Sequence, residues 1–424
     1  MTRDFAGWLA YIEQQHPQAI ALGLDRVERV RGAMGLAPGV PVITVAGTNG
    51  KGSTCAMLEA MLTAAGYRVG LYTSPHLLRY NERVRIAGRE ADDAALAAAF
   101  ARVEAARAGI AGDTRLTYFE FGTLAAVDLF LRSAVDVLVL EVGMGGRLDA
   151  VNVFDADCAI VTSVGLDHVD YLGATREAIG HEKAGIFRAG KPAVIAEPAV
   201  PESVLAHARA IGARPLCFGH EFGYETKGEQ WLFWGPAGKK SGLPYLGLRG
   251  RTQLRNASAA LAALETVSEL LPVSIRHLRQ GLAGAELPGR FQLLPGHPAL
   301  VLDVAHNPQA AEVLAQNLSD LGPCSGTTAV FGMLRDKDIA GVVRALAGCI
   351  DRWFVCTLAP PRGAQAAELA QSLRQAGVGA VREFENPALA YAAACSDCAE
   401  NDRIVAFGSF HTVADVIAAR RASE

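Results

Sequence analysis

Two patterns of apolar residues alternate along the first half of the chain. Short runs rich in β-branched residues, such as VITVAG at 42–47, VLVLEVG at 137–143 and AIVTSVG at 159–165, predict strands buried on both faces. Longer Ala- and Leu-rich stretches between them predict helices. This alternation is typical of an α/β fold in which helices cover a parallel sheet.

The pattern changes twice further along. Glycine- and aromatic-rich pieces at 217–250 predict a small antiparallel subsheet, and a second α/β alternation begins with ALVLDVAHNP at 299–308. Gly and Pro cluster between a helix-like stretch and this second alternation, which places a boundary near residue 290. The predicted organisation is a first domain at 1–287, a linker at 288–298 and a smaller, Rossmann-like domain at 299–424.

Composition narrows the class of protein. Of the 424 residues, 50% are hydrophobic and 20% are charged, which excludes the disordered class. The net charge of −4 is too mild to attract nucleic acid or anionic lipid by its field. No apolar run approaches the roughly 18 residues of a membrane span, and the N-terminus lacks a signal-peptide pattern. A soluble, cytoplasmic protein is expected.

The eight cysteines are scattered over the chain, so we expect them to be reduced. Cys395 and Cys398 have CxxC spacing, but no second CxxC or nearby His completes a zinc set. The sequence around them favours the end of an Ala-rich helix.

The strongest local signal is GTNGKGS at 47–53, between a predicted strand and a predicted helix. Glycines let backbone N–H groups point into a concavity, the helix N-terminus favours anions, and Lys51 adds a full charge. The spacing departs from GxxxxGK[ST], because Gly52 stands where Ser or Thr should follow the lysine. A plain glycine turn is the alternative. This candidate nucleotide-binding loop and the start of the helix after it comprise Gly47, Thr48, Asn49, Gly50, Lys51, Gly52, Ser53 and Thr54, and the family resemblance given below implies that they hold the phosphates of ATP.

Three oxygen- or nitrogen-bearing side chains follow predicted strands: Ser74, Glu141 and His168. Open α/β sheets bind ligands at the carboxyl ends of their strands, and Mg²⁺ prefers hard oxygen ligands. Each residue has an alternative role: a turn before Pro75, a cap or ion pair, and an ordinary loop histidine. Their shared position beside a phosphate loop favours a magnesium–phosphate site.

Lys183 lies on a helix predicted to begin near Thr175, among small and apolar residues. The part of its side chain nearest the helix is expected to be partly buried. The alternative is a lysine that extends along the surface to solvent.

Together these motifs resemble one family. The matching segments, in chain order, are GTNGKGS, TSPHLLRYNERV, TYFEFGTLAA, LEVGMGGRLDAVN, GLDHVDYLG, HEKAGIF, PGRFQ, LDVAHNP and FGSFHTVADV. The chain resembles the folylpolyglutamate synthases, most closely the bacterial bifunctional dihydrofolate synthase/folylpolyglutamate synthases of the Mur ligase superfamily.

The resemblance implies a Mur-ligase-like P-loop domain that binds ATP and pterin, and a C-terminal α/β domain that closes to complete the ATP site and binds glutamate. It implies two Mg²⁺ ions held by Ser74, Glu141, His168 and Lys183, the last as a carbamate whose oxygens replace a carboxylate. K⁺ is a further candidate cofactor. Lys51, His168 and Lys183 are the implied catalytic residues.

Further contacts follow from the same resemblance. Asn256, Arg290 and Asp303 match ATP contacts, with His306 nearby on the same loop, while Asn256 has the alternative role of a helix N-cap. Phe119 would stack on the pterin ring or belong to the core. The implied pterin-binding residues are Gly23, Leu24, Asp25, Arg26, Thr117, Tyr118, Phe119, Glu120, Leu148, Asp149 and Ala150.

The implied reaction adds L-glutamate to dihydropteroate, and to folyl glutamates, through an acyl phosphate, with release of ADP and phosphate. Such a ligase serves folate biosynthesis and one-carbon metabolism. The expected partners are these small molecules and ATP, with no nucleic acid or membrane, and the expected state is a monomer. The alternatives are a monofunctional folylpolyglutamate synthase, another Mur-type amino-acid ligase and a non-enzymatic ATP-binding regulatory module.

Overall fold

The computed structural model describes residues 3–18, 20–112, 114–228, 230–359 and 361–423. They form two compact units. The first runs from the N-terminus to Gly247 and includes Leu254–Glu286, and the second comprises Leu248–Gln253 and Leu287–Glu424. The segment predicted as a linker, 288–298, falls within the second unit, where its Gly and Pro residues flank a short edge strand at Gln292–Leu294.

Eight strands build the main sheet of the first unit. They are β1 (Val42–Ala46), β2 (Val69–Tyr72), β3 (Val84–Ile86), β4 (Arg89–Glu90), β5 (Val137–Glu141), β6 (Cys158–Val161), β7 (Pro192–Ile195) and β8 (Arg214–Cys217). Their order is β4-β3-β2-β5-β1-β6-β7-β8. The six strands from β2 to β8 in that order are parallel, and the β3–β4 hairpin adds an antiparallel edge. The predicted parallel core is confirmed.

Among the described residues, this part of the chain has ten α-helices: α1 (Phe5–Glu13), α2 (Asp25–Met34), α3 (Lys51–Ala64), α4 (Asp93–Ala108), α5 (Tyr118–Arg132), α6 (Val169–Leu172), α7 (Arg176–Ala184), α8 (Glu202–Ile211), α9 (Gln253–Thr266) and α10 (Ile275–Gly284). Local signals fix several of their ends. Thr117 and Glu120 form a capping box at the start of α5, and the Thr175 side chain caps α7. The helix predicted to begin near Thr175 is therefore confirmed.

The predicted antiparallel subsheet is also confirmed. It consists of β9 (Gly223–Lys227), β10 (Gln230–Gly235) and β11 (Gly238–Leu243), in the order β11-β10-β9. Trp231 and Phe233 of β10 are buried, and the Trp231 indole donates a hydrogen bond to the Pro244 carbonyl. Aromatic side chains thus give this small sheet its own apolar face.

The second unit is a further α/β layer structure. Its strands are β12 (Gln292–Leu294), β13 (Ala299–Leu302), β14 (Thr327–Phe331), β15 (Arg352–Cys356), β16 (Val381–Phe384) and β17 (Arg403–Phe407). Its helices are α11 (Pro308–Asp320), α12 (Ile339–Leu346), α13 (Ala366–Gln375), α14 (Pro387–Asp397) and α15 (Phe410–Ser423). The strand order is β12-β13-β17-β14-β15-β16, parallel except for β12. Cys395 and Cys398 lie at the end of α14, as predicted.

Within the described residues, no helix is both long and apolar enough to cross a membrane. All eight cysteines carry free thiols.

Candidate active site

The glycine loop lies between a buried strand and a helix, as its sequence predicts. β1 ends at Ala46 and α3 begins at Lys51, with Gly50 in the left-handed region (φ 89°) as the N-cap. The Thr54 amide and hydroxyl both donate to the Gly50 carbonyl at 3.0 Å. The Lys51 ammonium donates to the Gly47 carbonyl at 3.0 Å. The loop therefore combines a helix N-terminus with a cation, the two features that bind phosphate.

The segment that follows β6 holds this loop in place. Thr48 N–H donates to the Ser163 carbonyl at 2.9 Å, and Asn49 N–H donates to Ser163 Oγ at 2.9 Å. The Asn49 carbonyl accepts from the hydroxyls of Thr162 (2.7 Å) and Ser163 (2.9 Å). Gly165 N–H donates to Thr48 Oγ1 at 3.0 Å. The loop is thus fixed by short bonds to backbone and hydroxyl groups.

Two glycines of the loop have no room for a side chain. A Cβ on Gly47 would overlap the Thr162 hydroxyl, and one on Gly50 would lie 2.7 Å from Asn256 Oδ1. Asn256 is buried inside α9, which begins three residues earlier at Gln253. The N-cap alternative for Asn256 is therefore wrong, and its side chain lies against the phosphate loop.

Ser74 and Glu141 lie together at the carboxyl edge of the sheet. Glu141 is the last residue of β5, and Ser74 follows β2, the neighbouring parallel strand. Ser74 N–H donates to Glu141 Oε2 at 3.1 Å, and the Glu141 side chain is buried. The parallel register thus brings a carboxylate and a hydroxyl-bearing residue to one point.

His168 occupies a left-handed conformation (φ 52°) as the N-cap of α6. The backbone N–H of His168 donates to Asp167 Oδ1 at 2.9 Å, and the ring Nε2 lies 4.0 Å from Asp167 Oδ2. The imidazole is partly exposed, so it can meet a ligand from solvent, and the Asp167 carboxylate lies beside it.

Lys183 lies in the last turn of α7 and is only 3% exposed. The alternative of a lysine that extends to solvent is therefore wrong. Burial lowers the pKa of its ammonium to about 7, the charge of Lys51 acts in the same direction, and Asp167 and Asp149 oppose both. The neutral amine is consequently well populated near pH 7.

These residues fit the magnesium site and the carbamate that the resemblance implies. Carbamate formation consumes a neutral amine, which the buried Lys183 supplies. Within the described part of the chain, no three His, Cys, Asp or Glu side chains cluster as a metal site. Mg²⁺ commonly binds through one or two carboxylates, substrate phosphates and water, and Glu141 provides one buried carboxylate. Glu141, Ser74, His168 and a Lys183 carbamate would provide the protein ligands, and K⁺ stays a prediction.

An ion pair joins two of the segments predicted to bind pterin. The Arg26 guanidinium contacts both carboxylate oxygens of Glu120 at 2.9 Å, and Glu120 is buried. Glu120 also accepts from Thr117 N–H at 2.8 Å. Gly23 N–H donates to the Leu148 carbonyl at 3.4 Å. The structure thus brings the three predicted segments, 23–26, 117–120 and 148–150, into one region.

Phe119 lies half-buried beside this ion pair. Its ring centroid is 5.7 Å from that of Tyr72, and the ring covers Gly143, where a Cβ would approach to 2.8 Å. Phe119 packs against the main apolar core and keeps an exposed part, so its two predicted roles are compatible.

Asp149 is a buried carboxylate that organises the loop before it. It accepts from the N–H groups of Met144 (3.0 Å) and Val151 (3.1 Å), and burial raises its pKa to about 7. Ala150 begins a 3-10 turn directly after it. Of the remaining predicted pterin residues, Tyr118 is half-buried, Leu24 is the N-cap of α2, and Asp25 is exposed at its start.

The second unit holds the other predicted ATP contacts in a cluster of its own. Asp303 accepts from the N–H groups of Phe291 (2.9 Å) and Ala305 (2.8 Å). Burial raises its pKa to about 6, and the charge of Arg290 is the main opposing influence. The Arg290 guanidinium lies 5.0 Å from the Phe410 ring centroid, and the His306 and Phe410 rings are 6.4 Å apart.

Sequence reasoning missed the residues that support the site. Thr162 and Ser163 fix the phosphate loop, and Asp167 contacts His168 and acts on Lys183. Their only sequence signal is their place after the β6 run, where the sheet's ligand-binding edge is expected.

Comparison with known proteins agrees with this geometry. The family model of the Mur ligase middle domain matches residues 45–264. The family model of the Mur ligase glutamate ligase domain matches residues 289–410. Among curated proteins, the Escherichia coli dihydrofolate synthase/folylpolyglutamate synthase is 47% identical over 98% of this chain and 96% of its own. The Mycobacterium tuberculosis protein of the same name is 35% identical over 89% of this chain and 83% of its own.

Solved structures give the same result. Escherichia coli FolC in complex with DHPP and ADP has a TM-score of 0.94 and 46% identity, and the match covers 99% of this chain and 98% of that one. A bifunctional folylpolyglutamate synthase/dihydrofolate synthase with Mn, AMPPNP and L-glutamate bound has a TM-score of 0.91 and 46% identity, with coverage of 99% and 98%. This chain therefore belongs to the dihydrofolate synthase/folylpolyglutamate synthase family of Mur ligases.

Proposed function

We propose that this protein is a bifunctional ATP-dependent ligase that joins L-glutamate to dihydropteroate and to folyl glutamates. The observation that carries the proposal is the convergence of a phosphate loop, a buried carboxylate and a buried lysine whose pKa is lowered to about 7. Full-length similarity to proteins that carry both activities in their name supports both reactions.

The acceptor carboxylate must first be activated, because it has no good leaving group. Its oxygen attacks the γ-phosphorus of ATP, which gives an acyl phosphate and ADP. Lys51 and the N–H groups of the loop and of the first turn of α3 stabilise the phosphoryl oxygens as charge spreads over them. Mg²⁺, when bound by Ser74, Glu141, His168 and the Lys183 carbamate, neutralises phosphate charge.

The amino group of glutamate then attacks the acyl carbon, and the tetrahedral intermediate expels inorganic phosphate to leave an amide. The Arg26–Glu120 pair, Phe119 and the 148–150 loop hold the pterin, so that its carboxylate stays in line with the γ-phosphate. Asn256 supports the phosphate loop. Arg290, Asp303 and His306 of the second unit are proposed as further ATP contacts.

We also propose that the protein works in the cytoplasm. Eight free cysteines are typical of a reducing compartment.

A coupled assay for ADP tests the function. With ATP and Mg²⁺, ADP release is expected only when glutamate and either dihydropteroate or a folyl glutamate are present, with formation of the matching glutamylated product. Activity with folyl glutamate alone would limit the protein to folylpolyglutamate synthase. Release of ADP that does not depend on glutamate would refute the ligase function.

A further inference from the structure

A buried glutamate beyond β7 takes no part in the site described above. Glu197 is 5% exposed and lies two residues after the end of β7. Its Oε2 accepts from Val164 N–H at 2.8 Å, and its Oε1 accepts from Ala199 N–H at 3.2 Å. A carboxylate in such a place requires a cationic partner, and Arg176 Nη2 lies 3.2 Å from Oε1.

The Arg176 side chain bonds the backbone of the same two residues as the Glu197 carboxylate, Val164 and Ala199. Its Nε donates to the Val164 carbonyl at 2.9 Å, and its Nη2 donates to the Ala199 carbonyl at 2.7 Å. The pair therefore binds both polar backbone groups of Val164: Glu197 takes its N–H and Arg176 takes its C=O. Charge-assisted bonds of this kind are stronger than bonds between neutral groups.

Val164 lies in the middle of the segment that fixes the phosphate loop. Its neighbours Ser163 and Gly165 bond Thr48 and Asn49 through backbone and hydroxyl groups. A displacement of Val164 would shift both neighbours, and with them the N–H groups of the loop.

We propose that Glu197 and Arg176 are positioning residues that hold the 162–165 segment, and through it the phosphate loop, in the geometry that binds ATP. The inference rests on the function proposed above. The pair acts through backbone and touches no reacting atom, so it is expected to affect nucleotide binding more than pterin binding.

Two further connections extend the role of the pair. Arg176 is the first residue of α7, whose last turn carries Lys183. Arg255, the neighbour of Asn256 on α9, is substantially buried, and Glu197 is the leading charge that opposes the resulting fall in its pKa. Arg176 thus connects Glu197 to the helix that carries Lys183, and the charge of Glu197 acts on the neighbour of Asn256.

The test compares E197Q and R176K with a matched control, E177Q. Glu177 lies next to Arg176 on α7, and its carboxylate also accepts from two backbone N–H groups, those of Glu202 (3.2 Å) and Ser203 (2.8 Å). That carboxylate bonds the start of α8 and has no bond to the 162–165 segment. Calorimetric titration with AMPPNP and Mg²⁺ gives nucleotide affinity without turnover, and steady-state kinetics give KM for ATP and for dihydropteroate.

E197Q and R176K are expected to weaken AMPPNP binding about tenfold, the lower end of the loss that metal sites show when the groups orienting their ligands are mutated. KM for ATP should rise as the affinity for AMPPNP falls, while KM for dihydropteroate stays at the wild-type value. E177Q should bind AMPPNP as the wild type does. The E197Q/R176K double variant should lose less affinity than the sum of the single losses, because both residues act on one segment.

Unchanged AMPPNP affinity in R176K and in folded E197Q, or an equal loss in E177Q, would overturn the positioning role. If E197Q does not fold, R176K alone decides. A wild-type protein that binds AMPPNP but releases no ADP in response to glutamate would refute the proposed ligase function, and the affinity comparison would still decide the role of the pair.

Discussion

The nucleotide side and the substrate side of the first unit are fixed by different kinds of interaction. The loop at 47–54 is held by short bonds from the backbone and hydroxyls of 162–165. The segments at 23–26 and 117–120, which are proposed to bind pterin, are joined by the Arg26–Glu120 ion pair, and Arg26 is partly exposed. Several short hydrogen bonds hold the phosphate loop. On the substrate side, one ion pair between two long side chains joins the 23–26 and 117–120 segments.

The difference predicts which substitutions affect each side. On the nucleotide side, the greatest loss should come from groups that meet phosphate directly. On the substrate side, loss of one charge should suffice to weaken binding of the pterin without disturbing ATP.

Removal of Lys51 should have the largest effect. K51A deletes the cation that stabilises charge on the transferring phosphoryl group, and kcat should fall about 1,000-fold, the lower range for such a charge. Circular dichroism and thermal unfolding should match the wild type, because the Lys51 ammonium bonds the Gly47 and Thr48 carbonyls of its own loop. Turnover near the wild-type rate would remove this loop from the mechanism.

Lys183 should give the next largest effect, and one that depends on carbon dioxide. The pKa of its buried ammonium is lowered to about 7, so the amine that reacts with CO₂ becomes scarce as pH falls below 7 and plentiful as pH rises above it. Protein dialysed free of CO₂ at pH 6 should lose activity and regain it on addition of CO₂ and bicarbonate, with faster recovery at pH 8 when the concentration of dissolved CO₂ is held equal at the two pH values.

K183A is the control for that experiment. Its kcat should fall at least about 100-fold, because a proposed metal ligand should matter no less than the groups that orient such ligands, whose mutation typically costs about 10–100-fold, and bicarbonate should not restore it. A response to bicarbonate in K183A would show that the effect arises elsewhere.

Arg26 tests the substrate side of the comparison. R26A removes the cationic partner of the buried Glu120. KM for dihydropteroate should rise at least about tenfold, because a hydrogen bond to a charged group contributes about 1.5–3 kcal/mol and roughly 1.4 kcal/mol corresponds to a factor of ten. KM for ATP should not change. An equal rise in both constants would mean that the two sides are not independent.

Gly50 should show the smallest effect, on stability. G50A places a Cβ 2.7 Å from Asn256 Oδ1 and forces alanine into a left-handed conformation. The free energy of unfolding should fall by about 1–2 kcal/mol, as measured by urea denaturation. Gly66 is a suitable control, since it also has positive φ but no atom within 4 Å of its Cβ position. G66A should show the backbone part of the cost alone.

The sequence predicts well those features that local patterns encode. Runs of a few residues predict the phosphate loop, the helix that begins near Thr175 and the buried strands β1, β5 and β6. β12 and β16 do not: each is a short edge strand, and β16 is partly exposed, so neither has a continuous buried run.

Site features that depend on tertiary contacts were less predictable. Asn256 precedes a helix-like run and suggests an N-cap, but α9 begins three residues earlier and carries it into contact with Gly50. The loop residue Asn49 bonds Thr162 and Ser163, which lie more than 100 positions later in the chain. Val164 bonds Glu197, which lies more than 30 positions later. No local pattern marks such partners.

Transfer of oxygen from substrate to phosphate tests the central claim most directly. With dihydropteroate labelled with ¹⁸O in its carboxylate, attack on the γ-phosphorus leaves one labelled oxygen in each inorganic phosphate released. Mass spectrometry of the phosphate should therefore find one ¹⁸O for each dihydrofolate formed. Unlabelled phosphate accompanying dihydrofolate would contradict activation of the carboxylate as an acyl phosphate.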